Sequence, residues 1–392
     1  MRVAINGIGV AGPTLAYWLR QYGHEPVLFE KAPALRTGGY LIDFWGLGYE
    51  IADQMGLLPI LHEHCYLMRR LSMVDSKGRE EAGLDATQMR NMLQGRFISI
   101  ARADLSAALF RACADIPAHF GVHITAIEQN KDSVIATLSN GREERFDLVV
   151  GADGLHSQVR DLVFGPEAQF EKPLGCYVAA LRIPGYPHRD ELTYVSHTVP
   201  KLQVGRVALR NGETLILLIC RAELIGGIPP REQEKKALRR AFGDMRWEVP
   251  EILDGMDKAD DFYFDRISQI HLPYWSCGRI GLLGDAAACV SLLAGEGTGL
   301  AMIEAYVLAG ELHRADGDFA RAFTAYEARL RSFVTTKQRS ALRFLNFFAP
   351  ETAFALKWRN ISVSALSLRF FAKRFLARSI HDDLDLPHYL AA

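Results

Sequence analysis

"INGIGVAG", residues 5–12, sets three glycines in a G-x-G-x-x-G run, and its flanks decide how the chain begins to fold. Met1 to Asn6 reads as a short buried strand carrying Val3, Ala4 and Ile5, and residues 13–23 space Leu15, Ala16, Leu19 and Tyr22 as one face of a helix. Gly7, Gly9 and Gly12 therefore lie on a strand-to-helix turn. There Gly7 takes the tight turn, Gly9 lets the backbone approach a pyrophosphate, and Gly12 lets helix and strand pack closely. The helix N-terminus offers its N–H groups to the phosphates. Residues 25–30, EPVLFE, read as a second strand ending at Glu30, eighteen residues beyond Gly12, where a carboxylate accepts bonds from ribose hydroxyls. Together these features indicate a dinucleotide site. They do not distinguish NAD from FAD.

With 392 residues, 49% of them hydrophobic, the chain has enough apolar material for a large core and more than one domain. A net charge of −1 provides no global field for nucleic acid, so no nucleic-acid partner is expected. The six cysteines, Cys65, Cys113, Cys176, Cys220, Cys277 and Cys289, form no C-x-x-C pair and read as reduced thiols. The glycine loop interrupts the apolar start at once, and no run of eighteen apolar residues occurs. The expectation is a cytoplasmic monomer with neither signal peptide nor membrane partner.

Two further stretches fit a longer cofactor. In "LVVGADGLHSQVR", residues 148–160, a buried strand runs into Asp153-Gly154. In "GRIGLLGDAAACVSLLAGEGTGLAMIEAYVLAGEL", residues 278–312, a strand ends at Gly284-Asp285, and Gly295-Glu-Gly297-Thr-Gly299 opens a helix. An aspartate at a strand end can bond ribose or ribityl hydroxyls. A glycine-opened helix aims its N–H groups and positive dipole end at a ring that gains negative charge on reduction. NAD has neither ribityl chain nor isoalloxazine to use this third site.

Between these stretches the pattern is β-rich, with Asn140-Gly141 and Asn211-Gly212 as hairpin signals. The expected organisation is a discontinuous nucleotide-binding domain over residues 1–170 and 275–325, a β-rich substrate domain over 171–274, and a helical region over 326–392.

The three stretches, in this order over residues 5–310, resemble the class A FAD-dependent monooxygenases, the aromatic hydroxylases related to para-hydroxybenzoate hydroxylase. "ISIARADLSAALF", residues 98–110, is similar to the helix start in that family whose arginine reaches the FAD, which gives Arg102 that role. The resemblance implies an α/β fold with α+β elements: a Rossmann-like FAD-binding domain with an inserted β-sheet substrate domain and C-terminal helices. It also implies that Asp153 serves FAD and NAD(P)H together, that Asp285 holds the ribityl chain, and that the backbone around Gly297 and Thr298 meets the flavin. Where the family often has His-x-x-x-Pro, this chain has Ala288 and Leu292, so the flavin-side loop is shaped differently.

Within the family, residues 30–57, "EKAPALRTGGYLIDFWGLGYEIADQMGL", are similar to the flavin monooxygenases that inactivate tetracycline antibiotics. That likeness puts Arg36 at a cofactor-contacting position and Asp43 near the flavin edge. The cofactor contacts expected overall are Gly7, Gly9, Ala11, Gly12, Glu30, Lys31, Arg36, Arg102, Asp153, Asp285, Gly297 and Thr298. The implied chemistry belongs to the cofactor. NAD(P)H, bound transiently, reduces FAD, O2 adds at the flavin C4a carbon, and the hydroperoxide oxygenates an aromatic or enolic substrate such as a tetracycline. No side chain is assigned as catalytic acid, base or nucleophile, and no metal is expected, His62 to His64 included. Alternatives on the same scaffold are a hydroxylase of another polyketide or phenol, a membrane-associated flavin epoxidase, and a flavin-bound protein that sequesters an aromatic ligand without turnover.

From Arg329 to Arg378 eleven Lys and Arg face one acid, Glu351, and in residues 366–380 Leu368, Phe371 and Phe375 share one face. This region reads as a helix covering its own core, a lid over the cavity mouth, or a membrane-surface helix.

Overall fold

The computed structural model describes residues 1–36, 38–259, 261–366 and 383–389. Its first sheet is built around Arg2–Asn6, where Val3, Ala4 and Ile5 are fully buried. A strand this apolar on both faces needs layers above and below it, as in a parallel α/β sheet. The six strands run in the order Ser276–Cys277, Ile280–Leu282, Leu148–Gly151, Arg2–Asn6, Glu25–Glu30, Ala118–Phe120. All neighbours pair in parallel except the first two, with Ile5 opposite Val150 on one side and Leu28 on the other. Three segments far apart in sequence thus bring their C-terminal ends to one edge, the place where open α/β sheets bind nucleotides.

Helix Ala11–Gln21 follows the glycine loop and packs on helix Gly297–Arg314, with the Trp18 and Tyr306 rings 4.9 Å apart. From Leu300 to Leu312 every residue of the second helix is buried. Apolar residues all round that helix suit a position inside the protein. A small antiparallel sheet, Ile124–Gln129, Val134–Leu138 and Glu143–Phe146, turns at Gly141, whose φ is +81°.

The second large sheet has seven strands in the order Phe262–Ile270, Glu171–Arg182, Thr214–Arg221, Leu202–Ala208, Thr193–Val199, Arg70–Val74, Glu80–Asp85. Its last two strands come from within residues 1–170, through parallel pairing of Arg70–Val74 with Thr193–Val199. Val204, Ile216 and Leu218 on one face pack with Leu238, Phe242 and Ile252 of helices Glu234–Phe242 and Val249–Met256. Val207, Leu209 and Leu215 on the other face pack with Tyr40 and Tyr66. Arg206 is nearly inaccessible and ion-paired with Glu248 at 2.7 Å, while Arg210 lies over the Tyr66 ring.

The 30-residue helix Phe319–Phe348 opens on Asp318, whose carboxylate accepts the Arg321 N–H. Inside it, the buried Gln338 amide donates to the carbonyls of Ile270 and Cys289, which fastens the helix to the second sheet and the loop after Asp285. Helix Ala353–Leu366 packs on the edge strand Glu80–Asp85. Residues 329–366 of the basic stretch are therefore mostly helical, whereas Leu368, Phe371 and Phe375 lie outside the described residues. Among the described residues no helix is long and apolar enough to cross a membrane.

Candidate functional site

The glycine loop has no room for side chains at two of its three positions. Gly7 adopts φ +118°, and a Cβ there would overlap the Ala152 carbonyl. A Cβ on Gly12 would overlap the Gly7 carbonyl and press on Ile5, so Gly12 seats the helix against the strand. Gly9 differs: its Cβ would meet only Arg102 Nη2, at 3.9 Å. The space above Gly9 is open. Helix Ala11–Gln21 begins with no side-chain cap and carries Pro13 in its first turn, which leaves the Ala11 and Gly12 N–H groups to a phosphate.

The chain's own groups already bond two of the expected cofactor carboxylates. Glu30 accepts the N–H groups of Ile8 and Ala32, each at 2.9 Å, and so ties the glycine loop to the end of the second strand. Asp153 accepts from the Asn6 side chain at 2.9 Å and from the Gln158 and Val159 N–H groups at 2.9 and 3.1 Å. The Ser157 hydroxyl donates to its other oxygen. Desolvation raises the Asp153 carboxyl, and these hydrogen bonds oppose that rise. Asp153 thus joins the first strand to helix Gln158–Val163. Lys31 and Arg36 are exposed on the connection that follows Glu30.

The third stretch closes the site. Gly284, at φ +63°, sits between Ala11 and Ala301: a Cβ on it would lie 3.3 Å from one methyl and 3.6 Å from the other. The next residue, Asp285, directs Oδ1 to within 3.8 Å of where a Cβ on Gly297 would stand. Thr298 follows on the first turn of helix Gly297–Arg314, which has no side-chain cap. Gly299 packs directly on Gly48, with 2.6 Å between its Cα and a Cβ placed on Gly48. Arg102 opens helix Arg102–Arg111, and its N–H donates to the Tyr40 carbonyl at 3.2 Å. Desolvation raises the Tyr40 phenol, Arg102 lowers it and Asp285 raises it. Gly7, Gly9, Ala11, Gly12, Arg102, Asp285, Gly297 and Thr298 therefore gather around one edge of the first sheet. Glu30 and Asp153 tie that edge together through their bonds to Ile8, Ala32, Asn6 and helix Gln158–Val163.

Sequence reasoning missed several groups here. Asp265 of the second sheet accepts from the Tyr263 hydroxyl and lies 3.1 Å from His156 Nε2, while Glu167 lies 3.0 Å from His156 Nδ1. Held between these carboxylates, His156 is pushed up to about 10 and stays protonated at neutral pH. Its only signal was its place four residues before Arg160 in the second motif. Glu304 lies fully buried beneath Gly284, and its signal was a lone acid in the otherwise apolar run of residues 300–309. Asp43, which the sequence did place near the flavin edge, accepts from the Ser99 hydroxyl and lines a cleft with Trp45, Glu296 and Lys337. His62 lies against the Tyr49 hydroxyl.

Against this geometry, the family model described as "FAD binding domain" matches residues 1–321. A curated "Flavin-dependent monooxygenase" of an unknown prokaryotic organism is 36% identical over 396 residues, covering 99% of both chains. The chain belongs to the class A flavin-dependent monooxygenases. A second relative of the same description, from Legionella longbeachae serogroup 1 (strain NSW150), is 38% identical and covers 86% of this monooxygenase and 87% of itself. The crystal structure of tetracycline destructase Tet(51) superposes with a TM-score of 0.84 at 30% identity, covering 99% of each chain.

The monooxygenase's own geometry fits FAD. A cradle whose space above Gly9 is bordered by the Arg102 guanidinium admits a pyrophosphate and supplies it a cation, and two helix starts without side-chain caps bring N–H groups to the same region.

Proposed function

We propose that this enzyme uses NAD(P)H and O2 to hydroxylate an aromatic or enolic polycyclic substrate, and that tetracycline antibiotics are among the substrates it inactivates. The observation that carries this reading is the match to tetracycline destructase Tet(51) over 99% of each chain. Such a match extends through the second sheet and the C-terminal helices as well as the cofactor domain.

In this reading the twelve residues from Gly7 to Thr298 expected from the sequence hold FAD. The backbone of Gly7, Gly9, Ala11 and Gly12 and the Arg102 guanidinium take the pyrophosphate. Glu30 and Lys31 face the ribose, Arg36 contacts the cofactor, Asp153 serves FAD and NAD(P)H together, Asp285 takes the ribityl chain, and the first turn at Gly297 and Thr298 meets the ring. When bound, FAD would supply the redox chemistry that activates O2. The protein orients the substrate beside the ring, under the second sheet, and the helices after residue 326 exclude water from that space. No side chain acts as acid or base.

A substrate panel tests the proposal. Tetracyclines and simple phenols are incubated with the FAD-loaded enzyme and NADPH or NADH, and products are scored by mass. One added oxygen on tetracyclines supports the reading. Oxygen added to phenols alone removes the tetracycline assignment, and ligand-independent NAD(P)H oxidation with no oxygenated product removes the hydroxylase.

A further inference from the structure

Glu304 lies two turns inside helix Gly297–Arg314, about 10 Å along the axis from the end that meets the flavin. It is fully buried. Its Oε2 accepts the N–H of Gly284, the residue before Asp285, whose positive φ makes this turn a glycine conformation. The Tyr326 hydroxyl, on helix Phe319–Phe348, reaches the same oxygen at 3.4 Å and the Leu282 carbonyl at 3.2 Å. Among the described groups Glu304 Oε1 meets no partner. One carboxyl therefore touches the strand-end turn and the tyrosine of the long helix while riding on the cofactor helix.

The groups facing this carboxyl are Asp285 from the turn and Tyr326 from the long helix, with Glu327 and Arg331 acting on Tyr326. Among the described residues no cation is in contact with it. Burial without a counter-charge, with the Asp285 charge adding to it, pushes Glu304 up to about 8, so at neutral pH it carries a proton. A neutral acid accepts the Gly284 N–H without placing a second negative charge behind Asp285.

We propose that Glu304 is a positioning residue for the flavin: a buried carboxyl that, through its bonds to Gly284 and Tyr326, holds the Gly284-Asp285 turn in register with the first turn at Gly297. It acts through the turn and touches no substrate.

The test compares FAD affinity of the full chain, read from flavin fluorescence, between pH 6 and 9 for the parent, Glu304→Gln and Glu304→Ala. The parent is expected to lose affinity as pH rises through about 8. Glu304→Gln keeps an acceptor oxygen but cannot ionise, so its affinity stays level and exceeds the parent's at pH 9. Glu304→Ala, which loses the bonds from Gly284 and Tyr326, binds FAD about tenfold more weakly at pH 7. Superimposable pH profiles for parent and Glu304→Gln overturn the proposal. So does a difference confined to the melting temperature of the FAD-free protein with FAD affinities unchanged. If Glu304→Ala fails to fold, the comparison of the parent with Glu304→Gln decides alone. Failure of tetracycline oxidation leaves these binding measurements intact, so the two readings fall separately.

Discussion

The side-chain amide of Asn6 donates to Asp153 Oδ2 at 2.9 Å, across 147 residues of sequence, while its carbonyl oxygen accepts the Ile124 N–H at 3.1 Å. The last residue of the first strand thus locks the start of the second motif and the small antiparallel sheet onto the nucleotide edge. Replacing Asp153 by Ala strands the Asn6 amide, the Ser157 hydroxyl and two N–H groups of helix Gln158–Val163 at once. The expected loss is about 3 kcal/mol in the FAD-free protein, measured by urea unfolding. An Asp153→Ala variant as stable as the parent, with only FAD affinity reduced, would show instead that this carboxylate serves the cofactor alone.

The glycine loop separates packing from binding. Gly12→Ala drives a methyl into the Gly7 carbonyl and is expected to lower stability by about 2 kcal/mol with or without FAD. Gly9→Ala meets open space in the FAD-free protein, so its melting temperature stays that of the parent. Its FAD affinity is expected to fall at least about tenfold, because in the proposed site the methyl stands in the path of the pyrophosphate. Calorimetry of both variants with and without FAD checks the contrast.

Arg102 stands beside that path with no carboxylate within ion-pair distance among the described residues. Arg102→Ala is expected to weaken FAD binding by about tenfold or more, the scale of one charge-assisted hydrogen bond, while leaving the far-ultraviolet circular dichroism unchanged. Arg102→Lys keeps the charge and recovers part of the loss. Equal affinity in parent and Arg102→Ala would remove the residue from the site.

These residues also mark where the sequence was readable. The strand, turn and helix around Gly7, Gly9 and Gly12 are local, set by spacing and by what a glycine permits, and they appear where the periodicity puts them. The hairpins at Asn140-Gly141 and Asn211-Gly212 are local too. Partnership across the chain was not legible: nothing within residues 70–85 tells that they complete a sheet begun at residue 171, because a strand's alternation shows which face is buried and not what lies beside it. The same limit hid the inward commitment of Asp153. Its motif names a residue type at a strand end, whereas its partners Asn6 and Ser157 are decided by the folded geometry.

His156 carries the pH dependence that the geometry makes explicit. Its folded-state value near 10 lies above the ordinary 6.5, so its contribution is complete below about pH 6.5 and is lost as pH rises towards 10. The ring is more than half exposed, so solvent screening makes the effect small. His156→Gln is expected to lower the melting temperature more at pH 6 than at pH 10. The same deficit at both pH values would mean that the ring contributes by packing and not by charge.

The proposed activity is oxygen transfer from the gathered flavin site to tetracyclines. The most direct measurement gives the FAD-loaded enzyme NAD(P)H, a tetracycline and isotopically labelled dioxygen, and weighs the product. The expected result is one labelled oxygen atom per product molecule, with NAD(P)H consumed in step. Unlabelled product, or recovered tetracycline alongside NAD(P)H oxidation, would contradict it.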